Sequence, residues 1–337
     1  MIKIMKILKK FIKVDIAGMI SLVILSGFCL LYSFSGVHIS NPSGSTDYKW
    51  EPGQWKATMT EGLAWLRMDK KGYNNNADEK DIDILLMGSS NMEAANVAAS
   101  ENTAYLLNRQ LSDDVYNIGT SGHTIYTCVK NVEAAVDEYK PHKYVLMETD
   151  TVDLSEKEMQ SVLDGTKDAI PSYDSGMLYQ VQKYFPAVKS IFKQVSDWNR
   201  AGGREDNAKA VQELRSDYDR EYIYTLNAFL KKASNPVNET GSKLIIFYQP
   251  STAIDCDGNY VDSTDREARK LFQSACEANG IIFVDMTDEF KALYEEKHIL
   301  AHGFVNTAVG RGHLNKYGHR VIAQTLAEKI KEDEECR

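Results

Sequence analysis

Cysteine, proline and clustered basic residues are scarce in this sequence. Five Cys and seven Pro in 337 residues exclude a disulfide-dense miniprotein and a Pro-rich low-complexity chain. No C-x-x-C or Cys/His spacing suits zinc, and no self-similar period marks a repeat array. Basic residues gather only at the start: Lys3, Lys6, Lys9, Lys10 and Lys13 against Asp15 give the first 35 residues +4 and leave −13 on the rest of a chain of net charge −9. A body that acidic repels phosphate backbones, which argues against a nucleic-acid partner. The 43% hydrophobic and 26% charged residues are those of a globular protein with a sizeable core.

What is present begins with an apolar run. Residues 16–34 read IAGMISLVILSGFCLLYSF, nineteen residues without a charge, long enough at about 1.5 Å per residue to cross a hydrocarbon core of roughly 30 Å. The lysines ahead of it should stay cytoplasmic by the positive-inside rule. The expectation is therefore a basic cytoplasmic segment (1–15) and a single-pass transmembrane helix (16–34), with everything after it extracytoplasmic. A cleaved signal peptide and a buried core helix are the alternatives. In that compartment Cys128, Cys256, Cys276 and Cys336 have the opportunity to form a disulfide.

Residues 35–80 are polar and turn-rich around the short apolar stretch GLAWLRM at 62–68, which reads as a stalk with one docking helix. Beyond it, short apolar runs alternate with amphipathic stretches. Strands are expected at 83–87 (DILLM), 115–118, 144–147 (YVLM), 243–248 (KLIIFY) and 280–285 (GIIFVD). Helices are expected at 91–111, 127–138, 265–278 and 316–331. This alternation is that of a parallel sheet covered on both faces, an α/β doubly wound class, over residues 81–332. Between the third and fourth strands, about 155–240 reads as a helical insertion or cap. Its aromatics, Tyr179, Tyr184, Phe185, Phe192, Trp198, Tyr218 and Tyr222, suit either packing or a glycan-binding lid.

Sites in such sheets form outside the carboxyl ends of the strands. After the first strand stands Gly88-Ser89-Ser90-Asn91, a serine on a sharp turn with a helix N-terminus behind it, the setting of a nucleophile for acyl carbon. Plain turn and N-cap chemistry explains the same letters. After the second strand, Asn117 to Thr124 (NIGTSGHT) offers a glycine N–H to a substrate oxygen. Near the C-terminus, GRGHLNKYGH puts His313 on a loop before a helix, free to act as a general base, with His319 at the helix start as a surface or packing residue. His123 and His302 are further polar candidates.

These three pieces, in this order, resemble the blocks of the SGNH/GDSL hydrolase family, over about residues 82–330. The resemblance implies a flavodoxin-like five-stranded sheet, Ser90 as nucleophile and oxyanion donor through its N–H, Gly122 as the second donor, and His313 as base, with no metal or organic cofactor. Two positions depart from the family pattern. No Asn follows the third strand, where Glu148-Thr149-Asp150-Thr151 stands instead, so Thr151 becomes the expected third donor, with Thr149 behind it. The position three before the histidine, where the family carries its acid, is Gly310. Glu148, Asp150, Asp153, Asp288 and Glu289 are the candidate replacements, and a Ser–His dyad is the alternative. The implied function is a membrane-anchored extracytoplasmic esterase or acyltransferase, removing or transferring O-acetyl groups on a cell-surface polysaccharide, with a membrane-bound acyl-transfer protein as a candidate partner. The rival is a non-catalytic glycan-binding or scaffold protein of an envelope assembly.

Overall fold

A computed structural model describes residues 2–33, 38–40, 48–50, 52–53, 55–58, 61–76, 81–165, 218–251, 253–255, 257–261, 266–307 and 310–336. Its centre is a five-stranded parallel sheet of β5 (Ile84–Met87), β6 (Val115–Asn117), β7 (Tyr144–Thr149), β8 (Lys243–Tyr248) and β11 (Ile282–Asp285). The spatial order is β6-β5-β7-β8-β11, which is the flavodoxin-like order 2-1-3-4-5. The strands are buried on both faces because both faces are covered. Leu85, Met87, Val145, Met147, Leu244 and Ile246 point into one core. That side is covered by α4 (Ile125–Tyr139), α5 (Glu156–Leu163), α6 (Arg220–Glu239) and α7 (Arg266–Ala278). Ile84, Leu86, Leu146, Ile245 and Phe247 point into the other core, under α3 (Thr103–Leu111), α8 (Thr287–Lys297) and α9 (Lys316–Glu335). The expected helix at 91–111 is divided: α2 (Ser90–Glu93) ends on Ala94 in the left-handed conformation, and a 3₁₀ turn at Ala99–Glu101 precedes α3.

Two expectations change. The stretch read as a docking helix is a strand. Trp55–Thr58 (β3) pairs antiparallel with Ala64–Arg67 (β4), and the alternation that decides this is visible in Ala64 and Leu66, which are buried, between Trp65 and Arg67, which face out. Nor is the segment a stalk, since Trp50, Ala64, Leu66 and Met68 form a small core with Ala95 against the main unit. Two shorter pairs, His38–Ser40 (β1) with Tyr48–Trp50 (β2) and Ala253–Ile254 (β9) with Tyr260–Val261 (β10), complete the strands described.

Of the expected insertion at 155–240, residues 166–217 lie outside the described residues. Both α5 and α6 belong to the helical layer, and Tyr222, Phe229 and Leu230 are buried in its core. The other aromatics of that stretch, Tyr179 to Trp198, lie outside the described residues, and Tyr218 packs against the core from the start of α6.

At the N-terminus one helix, α1 (Ile2–Ser33), takes in the lysines and Asp15 as well as the apolar run. Among the described residues no helix is long and apolar enough to cross a membrane; the expected span at 16–34 runs past them at its C-terminal end. Apolar side chains from Phe11 to Leu25 are exposed on α1. Among the described cysteines Cys128, Cys276 and Cys336 are free thiols, the first two buried, and Cys256 lies outside the described residues.

Candidate active site

The strand order reverses between β5 and β7, and the crevice beyond their carboxyl ends is where such sheets bind ligands. Gly88 leaves β5 there with no room for a side chain, because a Cβ would run into the Glu148 side chain and Met92. The turn that follows is capped by Ser89, whose hydroxyl accepts the Asn91 N–H at 3.1 Å. Ser90 therefore stands at the first position of α2, partly exposed, and its own N–H lies in the first turn, where helices leave donors without an intrahelical acceptor.

His313 reaches this serine from the loop before α9. Its Nε2 lies 2.9 Å from Ser90 Oγ. The loop is tied down by the Leu314 N–H, which donates to Asn91 Oδ1 at 3.0 Å, and by Gly303 N–H, which donates to the His313 carbonyl at 2.9 Å. Asn315 then caps α9, accepting from the N–H groups of Tyr317 and Gly318.

The carboxylate that meets His313 is that of Glu61, which no sequence argument singled out. Its Oε2 lies 2.7 Å from His313 Nδ1, and its Oε1 accepts the His313 N–H at 2.7 Å. One carboxylate thus grips both the ring and the backbone of the histidine. Gly312 makes room for it: φ is +87°, and a Cβ there would strike the carboxylate. Glu61 sits between β3 and β4, and two asparagines hold it. Asn96 Nδ2 donates to the Glu61 carbonyl at 2.8 Å. Asn306 clamps the next residue, accepting the Gly62 N–H and donating to the Gly62 carbonyl, each at 2.9 Å. Burial works to raise the Glu61 carboxyl, but the hydrogen bonds and charge of His313 outweigh it and hold the group below its ordinary value. An ionised carboxylate only accepts, so Nδ1 carries the proton and Nε2 presents its lone pair to the Ser90 hydroxyl.

Of the carboxylates expected from the sequence, Glu148 makes bonds of its own. Glu148, at the end of β7, is fully enclosed behind the Ser90 turn. It accepts the Ser89 N–H at 2.6 Å and a Gln249 Nε2 donation at 3.1 Å, and it bonds the Asn91 side chain. Burial pushes its pKa up to about 7, against the pull of those donors and with a push from Asp150. Gln249 continues the chain to His302 Nε2 at 2.7 Å. His302 is buried and its pKa is pulled down to about 4, first by desolvation and then by His313, so it is a neutral support rather than a base. His319 is buried in α9 against the Thr103 hydroxyl at 2.9 Å, and His123 is buried beside Gly122.

The expected donors lie at two turns. Gly122 has φ +86° and open space on its side-chain face, in a turn that Thr120 N–H ties to the Gly88 carbonyl at 3.0 Å. Thr151 follows the end of β7 at Thr149, and in the tight turn there the Thr151 hydroxyl donates to the Asp153 carbonyl at 3.2 Å and the Thr149 hydroxyl donates to the Thr151 carbonyl at 2.5 Å. Both hydroxyls are used within their own turn. A cleft of about 530 Å³ is lined by Leu63, Asn96, Phe304, Val305, Asn315 and Tyr317, from the segments that flank Glu61 and His313.

No family model matches the chain, and no curated protein does. Solved structures do. An acetyl xylan esterase is 13% identical with a TM-score of 0.40, covering 74% of this chain and 100% of that one. The esterase EstA from Pseudoalteromonas sp. is 15% identical with a TM-score of 0.36, covering 75% and 98%. A GDSL-like lipase from Bacteroides thetaiotaomicron is 13% identical with a TM-score of 0.36, covering 74% and 88%. Likenesses at this level are too distant to transfer a function, so the functional reading rests on the chain's own residues. Hydrolases of the SGNH/GDSL type are among the solved structures this chain resembles.

Proposed function

We propose that this protein is a serine esterase or acyltransferase that works through an acyl-enzyme on Ser90. The observation that carries the reading is the continuous contact from Ser90 Oγ to His313 Nε2 at 2.9 Å and from His313 Nδ1 to Glu61 Oε2 at 2.7 Å. With Nδ1–H held by the carboxylate, Nε2 takes the Ser90 proton as Oγ attacks an acyl carbon. The carboxylate stays ionised and stabilises the imidazolium that forms. The oxyanion is received by the N–H groups of Ser90 and Gly122, two donors at a helix start and a left-handed glycine. His313 then returns the proton to the leaving alcohol as the C–O bond breaks, and a water or a second hydroxyl repeats the cycle to free the acyl group.

The finer reading is O-acetyl removal from, or transfer to, a cell-surface polysaccharide by an enzyme held at the outer face of a membrane. It is supported by sequence layout: the lysines before an apolar run, the exposed apolar residues Phe11 to Leu25 on α1, and the acidic body. A hydrolase and a transferase share the acyl-enzyme and differ in what takes the acyl group from it. The complete triad weighs against the scaffold alternative.

The test is a serine-directed fluorophosphonate probe applied to the full chain and read by intact mass. One adduct on the wild type, absent from Ser90→Ala and slowed in His313→Ala and Glu61→Gln, is expected; no adduct on a folded protein sinks the reading. Acetate release from an O-acetylated polysaccharide, with and without an added glycan acceptor, then separates hydrolase from transferase.

A further inference from the structure

Three residues after Ser90, Glu93 is buried at 1% exposure, inside the turn that carries the nucleophile. A carboxylate so enclosed costs several kcal/mol unless its oxygens are met by donors. Glu93 Oε1 accepts from Trp50 Nε1 at 2.8 Å and from Lys56 Nζ at 2.6 Å, and Lys56 Nζ lies 3.7 Å from the centre of the Trp50 ring. Oε2 accepts the Ser121 N–H at 2.7 Å. Ser121 directly precedes Gly122, whose left-handed backbone turns the donor N–H of the proposed oxyanion site.

We propose that Glu93 is the positioning residue of the oxyanion site: its carboxylate joins the Ser121–Gly122 turn to the helix of Ser90 and to the N-terminal hairpin, so that both donor N–H groups are held in one frame. The inference rests on the acyl-enzyme reading above. Around Glu93, α2 is stitched to neighbouring segments at further points. Asn117 Nδ2 donates to the Met92 carbonyl at 2.7 Å, and Asn74 Nδ2 donates to the Glu93 carbonyl at 2.8 Å. The first of these holds the strand before the turn against α2, and the Glu93 side chain reaches Ser121, next to Gly122, with a charge-assisted bond. Its charge, paired with Lys56, fixes the Ser121 N–H and with it the start of the Gly122 peptide before any substrate arrives.

The chemistry selects the variant. Both carboxylate oxygens of Glu93 accept, while an amide offers one acceptor. In Glu93→Gln the amide oxygen is claimed by Trp50 and Lys56, which leaves the NH₂ facing the Ser121 N–H, donor against donor. The readout is the preference of the full-length enzyme for an oxygen ester over the matching thionoester. Oxyanion donors favour oxygen over sulfur, and a purely structural role does not move that ratio.

Removal of an oxyanion donor costs about 10²–10³ in kcat, so its misplacement in Glu93→Gln should cost about 10–100-fold, with KM within about threefold and the oxygen-over-sulfur preference reduced about tenfold. Glu61→Gln should lose kcat and keep the wild-type preference. If Glu93→Gln does not fold by circular dichroism, the double variant Lys56→Met/Glu93→Leu removes the stranded ammonium together with the acceptor and is read in the same way. A folded variant that keeps the wild-type preference overturns the inference alone. A wild type without Ser90-dependent turnover overturns the esterase reading and the inference with it.

Discussion

The nucleophile and the acid of the proposed triad come from regions built on different rules. Ser90 grows out of the central sheet: β5 is buried on both faces, Gly88 turns the chain, Ser89 caps α2, and Glu148 holds the Ser89 N–H from below. Glu61 is delivered by a two-stranded hairpin with its own small core around Leu66 and Met68. Two strands alone are marginal in water, so the geometry at Glu61 depends on how the hairpin docks. The docking combines apolar packing on Ala95 with specific polar contacts made by Asn96, Asn306 and the buried Lys56–Glu93 pair. The difference teaches that the sheet sets the attack geometry while the hairpin sets the histidine's tautomer.

The strongest way to break the comparison is to remove each end. Ser90→Ala should abolish acyl-enzyme formation, since no second hydroxyl is bonded to His313 Nε2 among the described contacts. Glu61→Gln should keep the fold and lower kcat by about 10³–10⁴, the cost of losing the group that fixes the histidine tautomer in a serine triad. Pre-steady-state bursts on an activated ester measure both. A Glu61→Gln enzyme within tenfold of wild type would mean that the site works as a Ser–His dyad and that the hairpin is only scaffold.

These regions also differ in how much of them is legible in the sequence. The runs ILLM, YVLM and KLIIFY are continuous, apolar and separated by helical spacing, so period and length alone identify a parallel sheet, and the residues that follow those strands identify the crevice. GLAWLRM reads as a helix because four-residue strands carry little periodicity and an apolar stretch of seven suits a helix turn as well. The signal that tells against it is the pairing of WKAT with AWLR across a short Gly-containing loop, a hairpin pattern. Even so, nothing in the spacing announces that Glu61 meets a histidine 252 residues away. That contact depends on tertiary docking. Gly310, standing where the SGNH/GDSL pattern that the sequence resembles carries its acid, is the legible half: it leaves an acid from elsewhere or a Ser–His dyad.

A milder perturbation loosens the hairpin without touching the triad. Asn306→Ala removes both bonds to Gly62, worth about 1–2 kcal/mol in a partly buried setting. The change leaves Ser90 and its turn intact. Fluorophosphonate labelling of Ser90 should persist while kcat falls about tenfold, and the melting temperature should drop by a few degrees, roughly 2–4 °C per kcal/mol in a domain of this size. An unchanged kcat with a lowered melting temperature would show that the Asn306 clamp stabilises the hairpin without aligning Glu61.

The last effect belongs to the sheet side, leaves the triad untouched and is read in stability against pH. Glu148 is raised from an ordinary 4.5 to about 7 by burial, so between those values the folded protein holds a proton that the unfolded chain has released. Folding stability from this group is therefore complete below about pH 4.5 and declines as pH rises through about 7. Glu61 has the opposite sign: its carboxyl is lowered, so its contribution is present above the unfolded value and is lost only as pH falls through the folded one. Comparison of wild type with Glu148→Gln cancels the groups the two proteins share. The stability of the wild type relative to Glu148→Gln should fall by a few kcal/mol at most from pH 5 to pH 8, at roughly 1.4 kcal/mol for each pH unit that separates the folded from the unfolded titration. Chemical denaturation at four pH values measures it. A flat difference would mean that the donors from Ser89, Gln249 and Asn91 keep Glu148 ionised throughout, making the floor under the nucleophile a fixed negative charge rather than a proton store.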